Sequence, residues 1–362
     1  MSDTLIQSTP RFALRREAIL GVTLVLLVVS IGSHLPVPGL DLTRIGEEYG
    51  ESTSSMMARL SIMALGVLPL YTVLLHVELF SLIIPPLARW RGNPQNAGRL
   101  DLIVVILALL LTAFQATGLL FAMQESSLVR PDSVAFVPVG VASFVASTAV
   151  LIWLAKMIRL PSLGSGFWLL LVLPGLVGLP QEIASWIDLV RTGAASAAEL
   201  LILVLYIVGT IALVVFVRAV VFAGARRHYV DRAAAAAMML WPIFVATTAA
   251  GYLIIPLALI SEEPDALLRA IPFAAPILAM ILIPLIAYAY ARLFFLKRLN
   301  EDQRKALMPV LLANAGAQVI VFAAGLILSR SLQLPFSLTG STLIVLTMVM
   351  LALRDGTDQA AA

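Results

Sequence analysis

Apolar runs long enough to cross a lipid bilayer recur along the whole chain, and the run from Ser61 to Leu87 is the most informative of them. A membrane helix needs about 20 residues. This run is interrupted early by Gly66 and Pro69, and it carries His76 and Glu78 in its apolar middle. Broken backbone and charge at membrane depth are costly, and they persist where they line protein or a water-filled path.

The composition indicates an integral membrane protein. Hydrophobic residues make up 60% of the 362 residues and charged residues 12%, whereas soluble domains carry roughly 25% charge. The chain has no cysteine, which excludes disulfide frameworks, cysteine-based zinc sites and thiol catalysis. A basic flank precedes the first apolar run, at 19–31, and we expect that run to be a retained span rather than a cleaved signal peptide.

Hydropathy predicts an all-α fold with ten transmembrane helices. The fifth is short and punctuated by Pro174 and Pro180, and the seventh contains Pro242. The predicted spans are 17–34, 61–84, 102–123, 136–157, 164–180, 198–222, 236–258, 271–294, 308–329 and 337–353.

The basic residues predict an orientation in the cytoplasmic (inner) membrane. With the amino terminus inside, 18 of the 24 Lys and Arg fall on the cytoplasmic side, so both termini are expected there. Ten spans divide into two halves of five, 1–180 and 181–362. Because each half has an odd number of spans, the two halves must have opposite orientations in the membrane, so any repeat between them is inverted. The interrupted second and seventh spans then take equivalent places, which favours a central pathway between the halves.

Few polar groups fall inside the predicted spans. Glu78 is open to a functional role, as gate, pathway lining or proton carrier, or to a structural hydrogen bond with a neighbouring helix. His76 shares a face with Thr72 rather than with Glu78, and we interpret it as a hydrogen-bonded buried imidazole. Asn314 and Gln318 are read as interhelical hydrogen bonders. No catalytic, metal-binding or cofactor-binding constellation is present, so an enzyme is not expected.

Six short motifs are spread from one end of the chain to the other. They are His34-Leu-Pro-Val-Pro-Gly-Leu-Asp41, Ser61-Ile-Met-Ala-Leu-Gly-Val-Leu-Pro69, Pro86-Leu-Ala, Phe114-Gln-Ala-Thr-Gly118, Leu163-Gly-Ser-Gly166 with Gly178-Leu-Pro180, and Leu334-Pro-Phe336 with Thr339-Gly-Ser-Thr-Leu343. Together they resemble the SecY family of protein-translocase channel subunits. They occur in that family's order, and the resemblance covers essentially the whole chain.

The resemblance implies a clamshell of two inverted halves around an hourglass pore. A plug would lie within 42–60, in a polar segment that composition alone allows to be a short re-entrant helix or a solvated loop. A lateral gate would open between the second and seventh helices. The implied pore ring is Val67, Tyr71, Phe167, Leu171, Phe244 and Val345, and the implied gate residues are Thr72, His76, Glu78, Thr247 and Thr248.

The two basic cytoplasmic loops that dock partners in the family are reduced here to 223–235 and 296–307. Their remaining basic residues are Arg226, Arg227, Arg232, Lys297, Arg298, Arg304 and Lys305. The implied partners are translocating polypeptides, small SecE-like and SecG-like subunits and lipid. The short loops argue against ordinary docking of SecA or the ribosome.

Three functions therefore stand at this point. The first is a protein-conducting channel that is driven by a partner. The second is a non-conducting assembly factor for membrane proteins. The third is an inverted-repeat transporter of small solutes, which would need a polar site at the midplane from both halves.

Overall fold

The computed structural model describes residues 11–49, 59–158, 160, 162–227, 232–260, 264–294, 296, 299–332 and 340–359. Helices dominate this part of the chain. They are α1 (Arg11–His34), α2 (Leu42–Tyr49), α3 (Leu68–Ile83), α4 (Pro85–Arg91), α5 (Ala97–Glu125), α6 (Phe136–Met157), α7 (Phe167–Arg191), α8 (Ala197–Arg227), α9 (Arg232–Ile260), α10 (Pro264–Phe294), α11 (Glu301–Ser331) and α12 (Gly340–Gln359).

The all-α membrane fold is confirmed. A helix lies at each of the ten predicted spans, and seven of the helices are long and apolar enough to cross a membrane, or eight if α3 and α4 form one bent span. Large apolar side chains face outward, for example Phe114 at 78% exposure and Phe216 at 63%. Such surface suits lipid rather than water, so this is a multi-pass membrane protein. That all ten helices cross remains a prediction.

The second predicted span, 61–84, is wrong at its amino-terminal end, because helix α3 begins only at Leu68. Residues 61–67 form successive tight turns, with Gly66 at a φ of +52°, a left-handed conformation that favours glycine. Pro69 lies in the first turn of α3, where its missing N–H is not needed. The interruption predicted at Gly66 and Pro69 is therefore a change from turns to helix, and the helix begins between those two residues.

The fifth predicted span, 164–180, is wrong at its carboxyl end. Helix α7 continues through Pro180 to Arg191, with Pro174 and Pro180 both inside it. Membrane helices tolerate proline where neighbouring groups satisfy the freed carbonyl. Beyond Pro180 the apolar residues keep helical spacing, and Trp186 is buried, so packing extends the helix past the proline.

The polar segment between the first two spans folds back as a helix over its described part. Helix α2 follows an extended turn, and Ile45 on it is fully buried. It packs with Val37 and Leu40 against an apolar cluster from α5 and α6. Of the implied plug 42–60, residues 50–58 lie outside the described part of the chain.

Helices α11 and α12 approach each other closely through glycine. A methyl group added at Gly340 would lie 2.6 Å from the backbone oxygen of Val321. Backbone cannot move aside as a flexible side chain can. Gly340 therefore sets how closely the last helix packs against α11.

We expect Gly340→Ala to destabilise the protein by about 1–3 kcal/mol, as overpacking does, measured by thermal unfolding in detergent. Gly316→Ala on α11 is the control, because nothing lies within 4 Å of the added carbon and alanine is the better helix former by about 1 kcal/mol. Equal effects of the two changes would contradict this account of the α11–α12 contact.

Candidate functional site

Five aromatic side chains from three helices meet at the junction of α3, α7 and α9. The ring of Tyr71 on α3 packs edge-on against Phe244 on α9, with 5.6 Å between ring centroids. Trp168 on α7 stacks on Phe244 at 6.1 Å and contacts Trp241 at 4.9 Å. Phe167 contacts Trp168 at 5.1 Å and stacks on Trp241 at 6.4 Å. We call these five residues the aromatic cluster.

The structure brings three of the six implied ring residues into this cluster. Tyr71 and Phe244 touch directly, whereas Phe167 reaches them through Trp168. The other three, Val67, Leu171 and Val345, belong to the apolar core that surrounds the cluster, with Val345 fully buried. That these six line a pore stays a prediction.

Sequence reasoning missed Trp168 and Trp241. Both are at least 93% buried, and each adjoins a feature that had been singled out, namely Phe167 for Trp168 and Pro242 for Trp241. Aromatic rings next to an implied constriction were the available signal. With them, the junction is filled by large flat side chains rather than by aliphatic ones.

One polar link joins the two implied gate helices. Nε2 of His76 on α3 lies 2.5 Å from the Tyr252 hydroxyl on α9, and Nδ1 lies 2.6 Å from the Thr72 backbone oxygen. Both ring nitrogens are therefore hydrogen-bonded. Tyr252 carries no local sequence signal for this role, since its partner is 176 residues away.

The implied gate threonines turn back on their own helices. The Thr72 hydroxyl donates to the Leu68 carbonyl at 2.9 Å, and the Thr247 hydroxyl donates to the Ile243 carbonyl at 3.0 Å. Thr248 is half-buried. Among the described residues, α3 and α9 therefore meet through the Tyr71–Phe244 ring contact and the His76–Tyr252 link, and neither threonine with a described hydrogen bond joins the two helices.

Glu78 is buried in a polar group formed by three helices. Arg91 on α4 donates to both carboxylate oxygens, at 2.7 Å for Oε2. The Tyr290 hydroxyl on α10 donates to Oε2 at 2.5 Å. A buried charge needs a partner and filled hydrogen bonds, and Arg91 and Tyr290 supply both to Glu78.

The bend between α3 and α4 makes this pairing possible. The direction of the chain changes by 119° between the two helices, because Ile84, which precedes Pro85, takes an extended conformation. The reversal brings Arg91 back beside Glu78, 13 residues earlier. His76 and Glu78, two residues apart, consequently serve different neighbours, α9 and α10.

The implied docking residues are only partly described. Arg226 and Arg227 end α8 and Arg232 begins α9. On α11, Nε of Arg304 donates to the Leu299 carbonyl at 3.0 Å, and Lys305 pairs with Glu301 at 3.2 Å. Lys297 and Arg298 lie outside the described residues. Both loops are shorter than predicted, because the flanking helices extend into them.

The described side chains offer no grouping of three His, Asp or Glu that could hold a metal ion. The site is an apolar, aromatic junction between helices. The His76–Tyr252 hydrogen bond and the Glu78–Arg91 ion pair flank it. Many long apolar helices packed around such a junction define a multi-pass membrane protein.

A family model described as SecY matches residues 61–351. Because that match covers most of the chain, the protein belongs to the SecY family, as the motifs predicted. Protein translocase subunit SecY of Helicobacter pylori is 26% identical over 208 residues, which cover 53% of this chain and 50% of that protein. The Vibrio cholerae subunit of the same name is 28% identical over 206 residues, covering 53% and 46%.

A solved structure has the same overall fold. It is described as showing that the plug domain of the SecY protein stabilises the closed state of the translocation channel and maintains a membrane seal. The TM-score is 0.55 at 11% identity, over 95% of this chain and 92% of that one. In sequence, matches span about half the length of the curated relatives.

The pairing of the buried Glu78 with the partly buried Arg91 yields a stability prediction. Arg91→Met should destabilise the protein by about 2–4 kcal/mol, because it leaves a buried carboxylate without its cation. Adding Glu78→Gln to that variant should restore much of the loss, since the charge is then gone. Thermal unfolding in detergent measures both changes, and Arg89→Met on the exposed face of α4 is the matched control. Equal losses for the single and double variants would refute the pairing.

Proposed function

We propose that this chain is the channel subunit of a Sec-type translocase, which passes polypeptides across the cytoplasmic membrane or inserts them into it. The aromatic cluster is the observation that carries the proposal. A constriction lined by apolar side chains excludes water and ions by dewetting, yet no covalent bond has to break when a chain passes. Family membership and the shared fold support the same function.

The contact between α3 and α9 is proposed as the lateral gate. Its described interactions include the Tyr71–Phe244 ring contact and the His76–Tyr252 link. Neither is strong, since a neutral hydrogen bond contributes only about 1 kcal/mol net. A gate of this kind can part when an apolar segment competes for the same surface.

Energy and partners are proposed to come from outside the chain. Small SecE-like and SecG-like membrane subunits would clamp the two halves, 1–180 and 181–362. The short connections between α8 and α9 and between α10 and α11 leave little surface for SecA or a ribosome. We place both termini in the cytoplasm on the strength of the basic-residue bias.

The short connections, and the five rings of the aromatic cluster that fill the junction, favour one second candidate. It is a non-conducting assembly factor that keeps the gate groove. A small-solute transporter is disfavoured, because the one buried carboxylate on α3 is already paired with Arg91 and Tyr290.

Removing rings from the cluster should open an ion leak. Tyr71→Gly and Phe167→Gly take away apolar volume where α3 and α7 meet α9, so water enters and conductance in planar bilayers rises. Phe216→Gly on the outward face of α8 is the control, because it makes the same helix-weakening change at a side chain that is 63% exposed. Unchanged conductance in both cluster variants would overturn the seal.

Site-specific photo-crosslinking from positions 71 and 167, in cells of the native host, separates the two candidate functions. A channel should give crosslinks to secreted or inserted polypeptides in transit, and these should vanish when protein synthesis is blocked. The same probe at position 216 should report lipid. Crosslinks from 71 and 167 only to lipid or to fixed membrane partners would reject the channel and favour the assembly factor.

A further inference from the structure

Helix α9 contains a gap in its backbone hydrogen bonding, and a neighbouring helix fills it. Pro242 has no N–H, so it cannot donate to the carbonyl of Met238, four residues earlier. Met238 is only 3% exposed, and a buried carbonyl without a donor is costly. Nδ2 of Asn314 donates to this carbonyl at 3.0 Å and Nε2 of Gln318 at 3.3 Å. Helix α11 thus supplies two donors to an acceptor with two lone pairs.

The orientation of the Gln318 amide shows which contact governs it. Gln318 and Asn314 are 3% and 1% exposed. Nε2 of Gln318 faces both the Met238 carbonyl and Oδ1 of Asn314, the latter at 3.3 Å, while Oε1 of Gln318 has no partner among the described residues. Rotating the amide would turn its oxygen toward two other oxygens. Donation to Met238 is therefore kept, and the amide oxygen is left unsatisfied.

The same helix repeats the arrangement on α10. Pro276 leaves the Pro272 carbonyl without its helical donor, and the guanidinium of Arg330 on α11 donates to that oxygen. The guanidinium also lies over the Phe273 ring, 4.5 Å from its centroid. Two proline-freed carbonyls on two helices thus receive donors from α11. Helices α9 and α10 form the most extensive helix pair among the described residues, so α11 holds this pair at two separate points.

We infer that Asn314 and Gln318 are positioning residues for the gate helix, acting through the Met238 carbonyl. Pro242 divides α9 into a segment tied to α11 and a segment that carries Phe244 and Tyr252. The donors fix the direction in which α9 leaves the proline, and hence where those two rings meet α3. This inference rests on the proposed gate, although the donation to the Met238 carbonyl can be tested without it.

The test is a double-mutant cycle between the donors and the proline. Asn314→Leu with Gln318→Met removes both donors at nearly constant volume, and Pro242→Ala restores the backbone N–H at position 242. In the otherwise natural chain, the donor double variant should lower the melting temperature in detergent by roughly 3–6 °C. In the Pro242→Ala background the same two changes should have little effect, because the carbonyl then has its helical donor.

Gate position is read in the same variants. Because the natural chain has no cysteine, His76→Cys with Tyr252→Cys gives a clean pair for a short bismaleimide, introduced into every variant of the cycle. Removing the donors should change the crosslinking yield severalfold with Pro242 present, and Pro242→Ala should abolish that dependence. A purely structural role would lower the melting temperature but leave the crosslinking yield of the folded protein unchanged.

Each outcome decides the inference. Loss of stability and of crosslinking yield only with Pro242 present supports it, and so does failure of the donor double variant to fold only with Pro242 present. Equal effects with and without the proline overturn it, as does no effect in either. If the double variant folds in neither background, Gln318→Met alone, which keeps the Asn314 donor, is put through the same cycle. The double-mutant cycle could show the dependence on Pro242 while photo-crosslinking from positions 71 and 167 captures no polypeptide in transit. That result would reject the channel function and still support the contact from α11 to the Met238 carbonyl.

Discussion

The structure depends on one constraint, that every polar backbone group within lipid must find its partner inside the protein. Uninterrupted helices meet this constraint with their own hydrogen bonds. The interruptions are therefore the places where another part of the protein has to supply the partner. The turns before Leu68 pair partly among themselves, and Ile62 also donates to the Leu35 carbonyl and accepts from the Ser147 hydroxyl. The gaps at Pro242 and Pro276 are filled from α11. At these two prolines a neighbouring helix supplies the missing donor, and Pro242 lies in α9, one of the three helices that form the aromatic cluster.

The same reasoning applies to charge. Glu78 is tolerable because the chain reverses direction after Ile83 and brings a cation to it. The ion pair and the Tyr290 hydroxyl tie together α3, α4 and α10, which come from both proposed halves of the chain. Beside it, the His76–Tyr252 link also joins the two halves. Both of these polar contacts therefore join the two proposed halves, 1–180 and 181–362.

Helix positions could be predicted because a 20-residue apolar window is a local property of the sequence. The resemblance motifs then indicated the family, which the match to residues 61–351 confirms. Ends were harder. Helix α7 passes Pro180 because Trp186 packs, and no local rule weighs a lost hydrogen bond against burial. Glu78 could be singled out as anomalous, but Arg91 and Tyr290 could not be named as its partners. Tyr290 lies 212 residues away, and only the fold brings them together.

The bend that pairs Arg91 with Glu78 also has a mechanical consequence. No residue of α4 is fully buried, and three hydrogen bonds from Arg91, two to Glu78 and one to Ser81, fasten this short helix to α3. Because the chain bends by 119° between α3 and α4, α4 is placed to act on α3 as a lever. Force applied to α4 from outside the helix bundle is converted into torque on α3, the helix that carries Tyr71 and His76.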